Sequence, residues 1–322
     1  MRDVAARAGV SVSTISRVLN DARHVKDETR RRVEEAIEAT GYTPNLVARS
    51  LRTGREMPIG VAVPQIADHF FAEVAQAVEL YARERGVAVL ITSVGDDAAS
   101  ERAHLEAMLS RQIAGLIAAP IGEDLTYLGR WQPRVPMVFV DRAPRGVVSD
   151  CVLTDDVGGA RAATAYLIGL GHRRIAYIGD PPHVPTARRR HEGYEAALAA
   201  AGIALQPRLT IAQGNTSAEP REGLARVLAR RNPVTAIFSS NARCSINVVK
   251  ALKALGRSDV QLISFGDFPL ADALTPPVPV IDQDPAGMGR LAAQRLFRRI
   301  DEPTRRLVRQ VTIPATLVVP QP

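Results

Sequence analysis

The chain has 322 residues, of which 46% are apolar, and carries 41 Lys and Arg against 34 Asp and Glu. This length exceeds one hydrophobic core and predicts more than one folding unit, and the apolar fraction excludes a disordered polypeptide. No apolar run is long enough to span a bilayer and no secretory signal precedes a cleavage site, so a soluble, cytoplasmic protein is expected.

The net charge of +7 is unevenly placed. Residues 1–55 hold eleven Lys and Arg against seven Asp and Glu, a net of +4 in about a sixth of the chain. The segment from Asp3 to Asn20 reads as two short helices around a turn at Gly9, with Val4, Ala5 and Ala8 on one face of the first. Ser11 is placed to cap the second helix, whose Ile15, Val18 and Leu19 pack back on the first. Its other face presents Val12, Ser13, Thr14, Ser16, Arg17 and Asn20, the short or hydrogen-bonding side chains that reach base edges and phosphates from a helix in the major groove. A local positive excess beside such a unit favours a polyanionic partner.

A third helix starts at Asp27 or Glu28 and ends at Gly41. The following segment through Gly54 has room for barely two helical turns and needs a partner surface to order it. In it, Leu51 is an apolar side chain among Arg49, Ser50, Arg52 and Thr53. It suits a wedge into a DNA minor groove, the alternative being packing on the rest of the chain.

From Ile59 the texture becomes short β-rich runs at 59–63, 87–92, 113–118, 135–140, 174–178, 235–239, 260–264 and 278–281. Helical stretches at 71–85, 100–110, 158–169, 190–201 and 244–255 alternate with them. Such alternation predicts doubly wound parallel sheets, and roughly ten strands divide into two lobes near Thr154. Ligands of such lobes bind where strand C-termini converge. Asp141 and Arg142, a carboxylate and a guanidinium suited to hydroxyl groups, end one of these runs.

Enzyme signatures are missing: there is no G-x-G-x-x-G leading from strand to helix, no P-loop and no G-x-S-x-G, and His172 and His191 have no nucleophile beside them in sequence. Cys151 and Cys244 lack metal-ligand spacing and are expected to be buried free thiols. Neither a metal nor a cofactor is expected.

Asp3-Val4-Ala5 through Ser16-Arg17-Val18-Leu19-Asn20, Tyr42-Thr43-Pro44-Asn45, Leu170-Gly171-His172-Arg173-Arg174-Ile175-Ala176 and Arg190-His191-Glu192-Gly193-Tyr194 resemble the lac repressor and galactose repressor family along essentially the whole chain. The resemblance implies a helix-turn-helix DNA-binding domain (1–42), a hinge helix and linker (43–56) and a periplasmic-binding-protein-like α/β core (57–322) of two doubly wound parallel-sheet lobes. The first lobe is expected over 57–154 plus 285–310 and the second over 155–284 plus 311–322. It implies a regulator, a repressor in the leading reading, that binds a palindromic double-stranded operator as a homodimer and responds to a small carbohydrate-like effector. An α/β enzyme or a sugar-binding transport receptor are the competing classes.

By the same resemblance, Val12 and Ser13 read bases, Thr14, Ser16, Arg17, Asn20 and His24 contact bases or phosphates, and Asn45 and Ala48 approach the groove beside Leu51. Phe70 and Phe71 match an aromatic pair that covers a sugar face, with core packing favoured for Phe71. Arg190, Asn241 and Gln283 match ligand positions. Gly266 stands where many sugar-binding members carry Asp; Asp267 beside it is counted with the effector residues, and the missing charge suggests an effector that is a sugar acid. Where the family has Thr or Ser before Arg2-Asp3 this chain has Met1, so either Asp3 caps the first helix or the true start lies upstream.

Overall fold

The computed structural model describes residues 2–19, 25–41, 57–122, 124–212, 219–228, 233–304 and 308–320. The chain divides into two compact units, Met1–Met57 and Pro58–Pro322.

In the first unit, α1 (Arg2–Ala8), α2 (Val12–Leu19) and α3 (Asp27–Thr40) enclose Val4, Ala5, Ala8, Ile15, Val18, Val33 and Ala36. Gly9 turns the chain at φ +63° and Gly41 ends α3 at φ +59°, conformations that cost a side chain-bearing residue more. At Gly9 the reason is doubled. The Arg32 guanidinium donates to the Ala8 carbonyl at 2.6 Å, satisfying the end of α1, and a Cβ on Gly9 would stand 2.7 Å from it. Ser11 Oγ accepts from the Thr14 amide at 3.1 Å and starts α2. Because α1 already begins at Arg2, Asp3 lies inside its first turn rather than at a cap, where its charge favours the helix dipole.

The second unit holds two six-stranded sheets. The first lobe is built from β1 (Ile59–Val63), α4 (His69–Arg83), β2 (Val89–Ser93), α5 (Ala98–Leu109), β3 (Gly115–Ala118), β4 (Met137–Val140) and β5 (Asp150–Thr154). The chain then enters the second lobe through α6 (Asp156–Gly169), β6 (Ile175–Gly179), α7 (Pro185–Ala200), β7 (Thr210–Ala212), α8 (Glu219–Leu228), β8 (Ala236–Ser239), α9 (Ala242–Ala254), β9 (Gln261–Phe265) and β10 (Val280–Asp282). It returns through α10 (Pro285–Asp301) and β11 (Gln310–Ile313) to the first sheet and finishes with β12 (Thr316–Val318) in the second. The strand orders are β11-β5-β4-β3-β1-β2 and β12-β10-β9-β8-β6-β7, parallel throughout except for β12, which runs antiparallel to β10.

β11 pairs with β5 from Gln310 opposite Cys151 to Ile313 opposite Thr154. The last crossing therefore falls after Ile313, three residues beyond the expected boundary at 310, because Val311 and Ile313 complete the edge of the first sheet. β5 itself escapes a hydrophobic scan because it opens with Asp150. That carboxylate is buried and takes bonds from Arg299 at 2.8 Å and 3.1 Å.

Alternate residues of the strands feed opposite faces of each sheet. In the first lobe Val61, Val138, Val140 and Val152 meet Val74, Val78, Ala292 and Leu296 of α4 and α10, while Ala62, Leu116, Phe139 and Leu153 meet Leu105 and Leu109 of α5. Each such side chain contributes about 1.5–3 kcal/mol on full burial. Cys151 and Cys244 are free and buried, and burial pushes their thiols up to about 11 and about 12.

One glycine in each lobe lets two helices touch. A Cβ on Gly289 of α10 would lie 2.4 Å from the Val74 carbonyl oxygen of α4, and one on Gly193 of α7 would lie 2.4 Å from the Val157 carbonyl oxygen of α6. The neighbour in each case is backbone and cannot swing away. Gly289→Ala and Gly193→Ala should each cost about 1–3 kcal/mol in chemical denaturation. Gly169→Ala, with nothing within 4 Å, should leave the midpoint unchanged or raise it.

Candidate functional site

The outward face of α2 exposes Val12, Ser13 and Arg17, with Thr14 and Ser16 half-buried. Ser11 Oγ lies 2.7 Å from Ser13 Oγ and 2.9 Å from Thr14 Oγ1, so the start of the helix carries a connected set of hydroxyls beside an exposed valine. This is a surface able to meet a thymine methyl, base-edge donors and acceptors, and phosphate oxygens along one helix. Asn20, His24, Asn45, Ala48 and Leu51 lie outside the described residues.

A cleft of about 540 Å³ opens in the second unit between the C-terminal ends of strands from both sheets. Of the effector residues expected from sequence, Phe70, Phe71, Asp141, Arg142, Arg190, Asn241 and Gln283 line it. Asp267 does not; it is exposed, and its carboxylate accepts from the Phe268 amide at 2.7 Å. The neighbouring Gly266 has φ +86°, and a Cβ there would sit 2.9 Å from Gln283 Oε1. In this chain Gln283 and the backbone conformation together occupy the place a larger residue at 266 would need.

Each lining group is held by local structure. Asp68 caps α4 by accepting from the Phe70 amide at 3.1 Å, which sets the two phenylalanines edge to face with centroids 5.1 Å apart. Phe71 is buried in the core of the first lobe, and Phe70 is half-buried at the cleft. Asn241 caps α9, its Oδ1 accepting from the Cys244 amide at 2.8 Å while its Nδ2 donates to Asp180 at 3.0 Å. Asp180 also takes Arg243 at 3.0 Å.

At the centre is Arg190. Its Nε donates to Asp156 at 2.8 Å, its Nη1 to the Ser240 carbonyl at 2.7 Å, and its carbon lies 4.1 Å from the Phe265 ring centre. Nη2 reaches 4.0 Å from Asp141 of the first lobe. Asp141 ends β4 at φ +65°, a conformation unusual outside glycine, and pairs with Arg142 Nε at 2.9 Å. Arg142 in turn donates to the Pro120 carbonyl at 3.2 Å, and the next two amides, of Ile121 and Gly122, both donate to the buried Glu101 carboxylate at 2.7 Å. Burial raises the Asp156, Asp68 and Glu101 carboxyls above their ordinary range, while Asp156 and Asp141 keep Arg190 firmly cationic.

The arginines of the cleft are thus paired with carboxylates: Arg142 with Asp141, Arg190 with Asp156 and Asp141, Arg243 with Asp180. The charge of each guanidinium is already answered within the protein, so the absence of Asp at 266 does not leave the cleft with an uncompensated positive charge. What remains is a set of oriented acceptors and donors beside one aromatic face, the arrangement that meets a ring bearing several hydroxyls. Asp68, Asp96, Asp180, His183 and Arg243 were not singled out from sequence. Asp180 follows β6 as Asp141 follows β4, so strand-end position alone would have found it.

Among the described residues no group of three or more His, Cys, Asp or Glu could hold a metal ion, and no helix is long and apolar enough to cross a membrane.

Residues 1–45 match the family described as bacterial regulatory proteins, lacI family, and residues 164–321 match the periplasmic binding protein-like domain. The ribose operon repressor of Escherichia coli (strain K12) is 31% identical over 309 residues, which is 94% of each chain. The HTH-type transcriptional regulator GalS of Salmonella typhimurium (strain LT2) is 33% identical over 299 residues, 91% of this chain and 88% of that one. Among solved structures, the Lac repressor bound to ONPG in its repressed state superimposes with a TM-score of 0.84 at 25% identity, covering 98% of this chain and 97% of that one. The transcriptional regulator CelR in complex with cellobiose superimposes with a TM-score of 0.70 at 28% identity over the same shares. With a helix-turn-helix unit, two α/β lobes and transcriptional regulators as relatives over more than nine-tenths of its length, the chain belongs to the lacI family of bacterial regulatory proteins and is a DNA-binding transcriptional regulator, not an enzyme.

Proposed function

We propose that this regulator represses transcription as a homodimer on a palindromic operator, acting in the bacterial cytoplasm on nucleoid DNA, and that a neutral monosaccharide in the cleft controls its grip. The observation that carries the effector class is the charge pairing of the cleft: its arginines already hold carboxylates, leaving acceptors and donors for hydroxyl groups. The volume of about 540 Å³ suits a small sugar. The names of the ribose operon repressor and of the CelR complex with cellobiose, the latter a disaccharide, support a neutral sugar.

On DNA, Val12 and Ser13 meet base edges from the start of α2, Thr14 and Ser16 add polar contacts, and Arg17 grips guanine or phosphate through its fork. Asn20, His24, Asn45 and Ala48 add contacts, and Leu51 wedges between base steps in the minor groove. In the cleft, Asp141 and Arg190 reach a sugar from opposite lobes, Asn241, Asp180 and Gln283 bind further hydroxyls, and Phe70 covers the ring. A ligand touching both lobes favours one angle between them over another. That differential affinity is the physical source of the response, with couplings of this kind typically worth about 1–3 kcal/mol.

Calorimetry with neutral pentoses and hexoses set against aldonates tests the effector class: a neutral sugar should bind at least tenfold tighter, and preference for an aldonate would overturn it. Acidification protonates Asp68 sooner than an ordinary carboxylate, because burial raises its pKa. Protonation weakens the cap by which Asp68 holds the Phe70 amide beside the cleft, so sugar affinity should fall as pH drops through the region just above the usual carboxylate range, and Asp68→Asn, which can still cap, should flatten that fall. Arg190→Ala leaves the buried Asp156 without its cation, while Asp141 keeps Arg142; it should cost about 3 kcal/mol or more of stability and abolish the sugar response. Arg17→Ala should weaken operator binding at least tenfold in a fluorescence titration and leave sugar binding unchanged.

A further inference from the structure

The starts of the first-lobe strands all lie on one edge of the sheet, facing away from the cleft, because the strands are parallel. Backbone bonds tie that edge together: Ile59 N–H to the Ala88 carbonyl, Ala114 N–H to Pro58, Leu116 N–H to Pro136 and Cys151 N–H to Arg309. The chain enters the lobe here, at Pro58, directly after the unit that carries the DNA-reading helix.

This edge is rich in arginine. Arg85, Arg111, Arg134, Arg298 and Arg309 are exposed along it. Arg83 and Arg130 are exposed there too, leaning on Glu79 at 3.9 Å and Glu106 at 3.0 Å. The exposed carboxylates of the same loops and helix ends are Glu84, Asp301 and Glu302. Helix C-termini favour cations and account for Arg83 and Arg298. They do not account for Arg134 and Arg309, which stand in the loops leading into β4 and β11. Arg85 is already oriented, its guanidinium carbon 3.8 Å from the centre of the Tyr81 ring, so a phosphate bound to it would cost little side-chain entropy. The cleft end of the same lobe differs: Asp68 and Asp96 line it, and Asp141 is buried against Arg142.

We propose that this arginine edge of the first lobe is a second DNA-contacting surface, gripping backbone phosphates without reading sequence. The proposal rests on the regulator reading. Pro58, on this edge, follows the DNA-reading unit in the chain, so DNA bound by that unit is tethered to the lobe that carries this dispersed positive surface. Each phosphate neutralised releases counterions, and the contact is visible as salt dependence rather than as base preference.

The test compares the full-length protein with the full-length Arg111→Ser/Arg134→Ser/Arg309→Ser variant, titrating operator and unrelated duplexes over a range of salt concentrations. The variant should show a slope of log affinity against log salt that is shallower by about 2–3, roughly one per lost phosphate contact. Its operator-to-unrelated affinity ratio and its sugar affinity should be unchanged. Arg173→Ser/Lys253→Ser, exposed at the strand-start end of the second lobe, should leave the slope as it was. An unchanged slope in the triple variant, or an equal change in the Arg173/Lys253 variant, overturns the second surface while leaving the regulator reading intact. An unsubstituted chain that binds no DNA at any salt concentration overturns both.

Discussion

The guanidinium of Arg190 is the group on which the cleft depends. A cation removed from water is tolerated only when its N–H groups are met and its charge is answered. Asp156, the Ser240 carbonyl and, from the other lobe, Asp141 do so. The same arginine lies over Phe265 in the core of the second lobe, so a ligand-facing charge and an apolar core share one side chain. Asp141 holds an unfavourable backbone conformation to take part. Strain of this kind persists only where surrounding contacts over-determine it, as the Arg142, Pro120 and Glu101 chain does here. The result is a binding surface whose charges are oriented before any ligand arrives, and preorganisation of that sort lowers the cost of binding.

Parallel sheets give the molecule its electrical direction. Every connecting helix begins near the cleft, and several are capped there by a short polar side chain: Asp68 on α4, Asp97 on α5, Asp155 on α6, Asn241 on α9 and Asp284 on α10. Two of these capping residues, Asp68 and Asn241, also line the cleft, so at those positions capping and recognition use the same side chain. The helix C-termini and strand starts lie at the opposite end, where in the first lobe exposed arginines outnumber exposed carboxylates. Close helix contacts through Gly193 and Gly289 hold each lobe rigid enough for this polarity to be a fixed feature of the surface.

Much of this was legible beforehand. The headpiece helices announce themselves through Gly9, Ser11 and Gly41, since a left-handed turn, a hydroxyl cap and a glycine stop are local devices. The strands with continuous apolar runs were equally plain. β5 was not, because its leading Asp150 is stabilised by Arg295 and Arg299, about 150 residues away in sequence. The edge strands β7, β11 and β12, at three or four residues each, carry too few side chains for a pattern. α10 is obscured by Gly287 and Gly289, the second of which is small for the sake of α4.

The sequence by itself determined the DNA-reading unit, the alternation of strand and helix, and the strand-end positions of Asp141, Asn241 and Gln283, because each follows from neighbours within a few residues; Arg190, inside α7, is marked only by the family resemblance. Only the tertiary structure decided that Asp267 points away, that Asp68 joins the cleft, and that its arginines are neutralised. Charge pairing is a property of distance in space, and the partners here come from different strand ends and different lobes. Composition at one position, such as Gly266, therefore could not reveal the electrical character of the site that surrounds it.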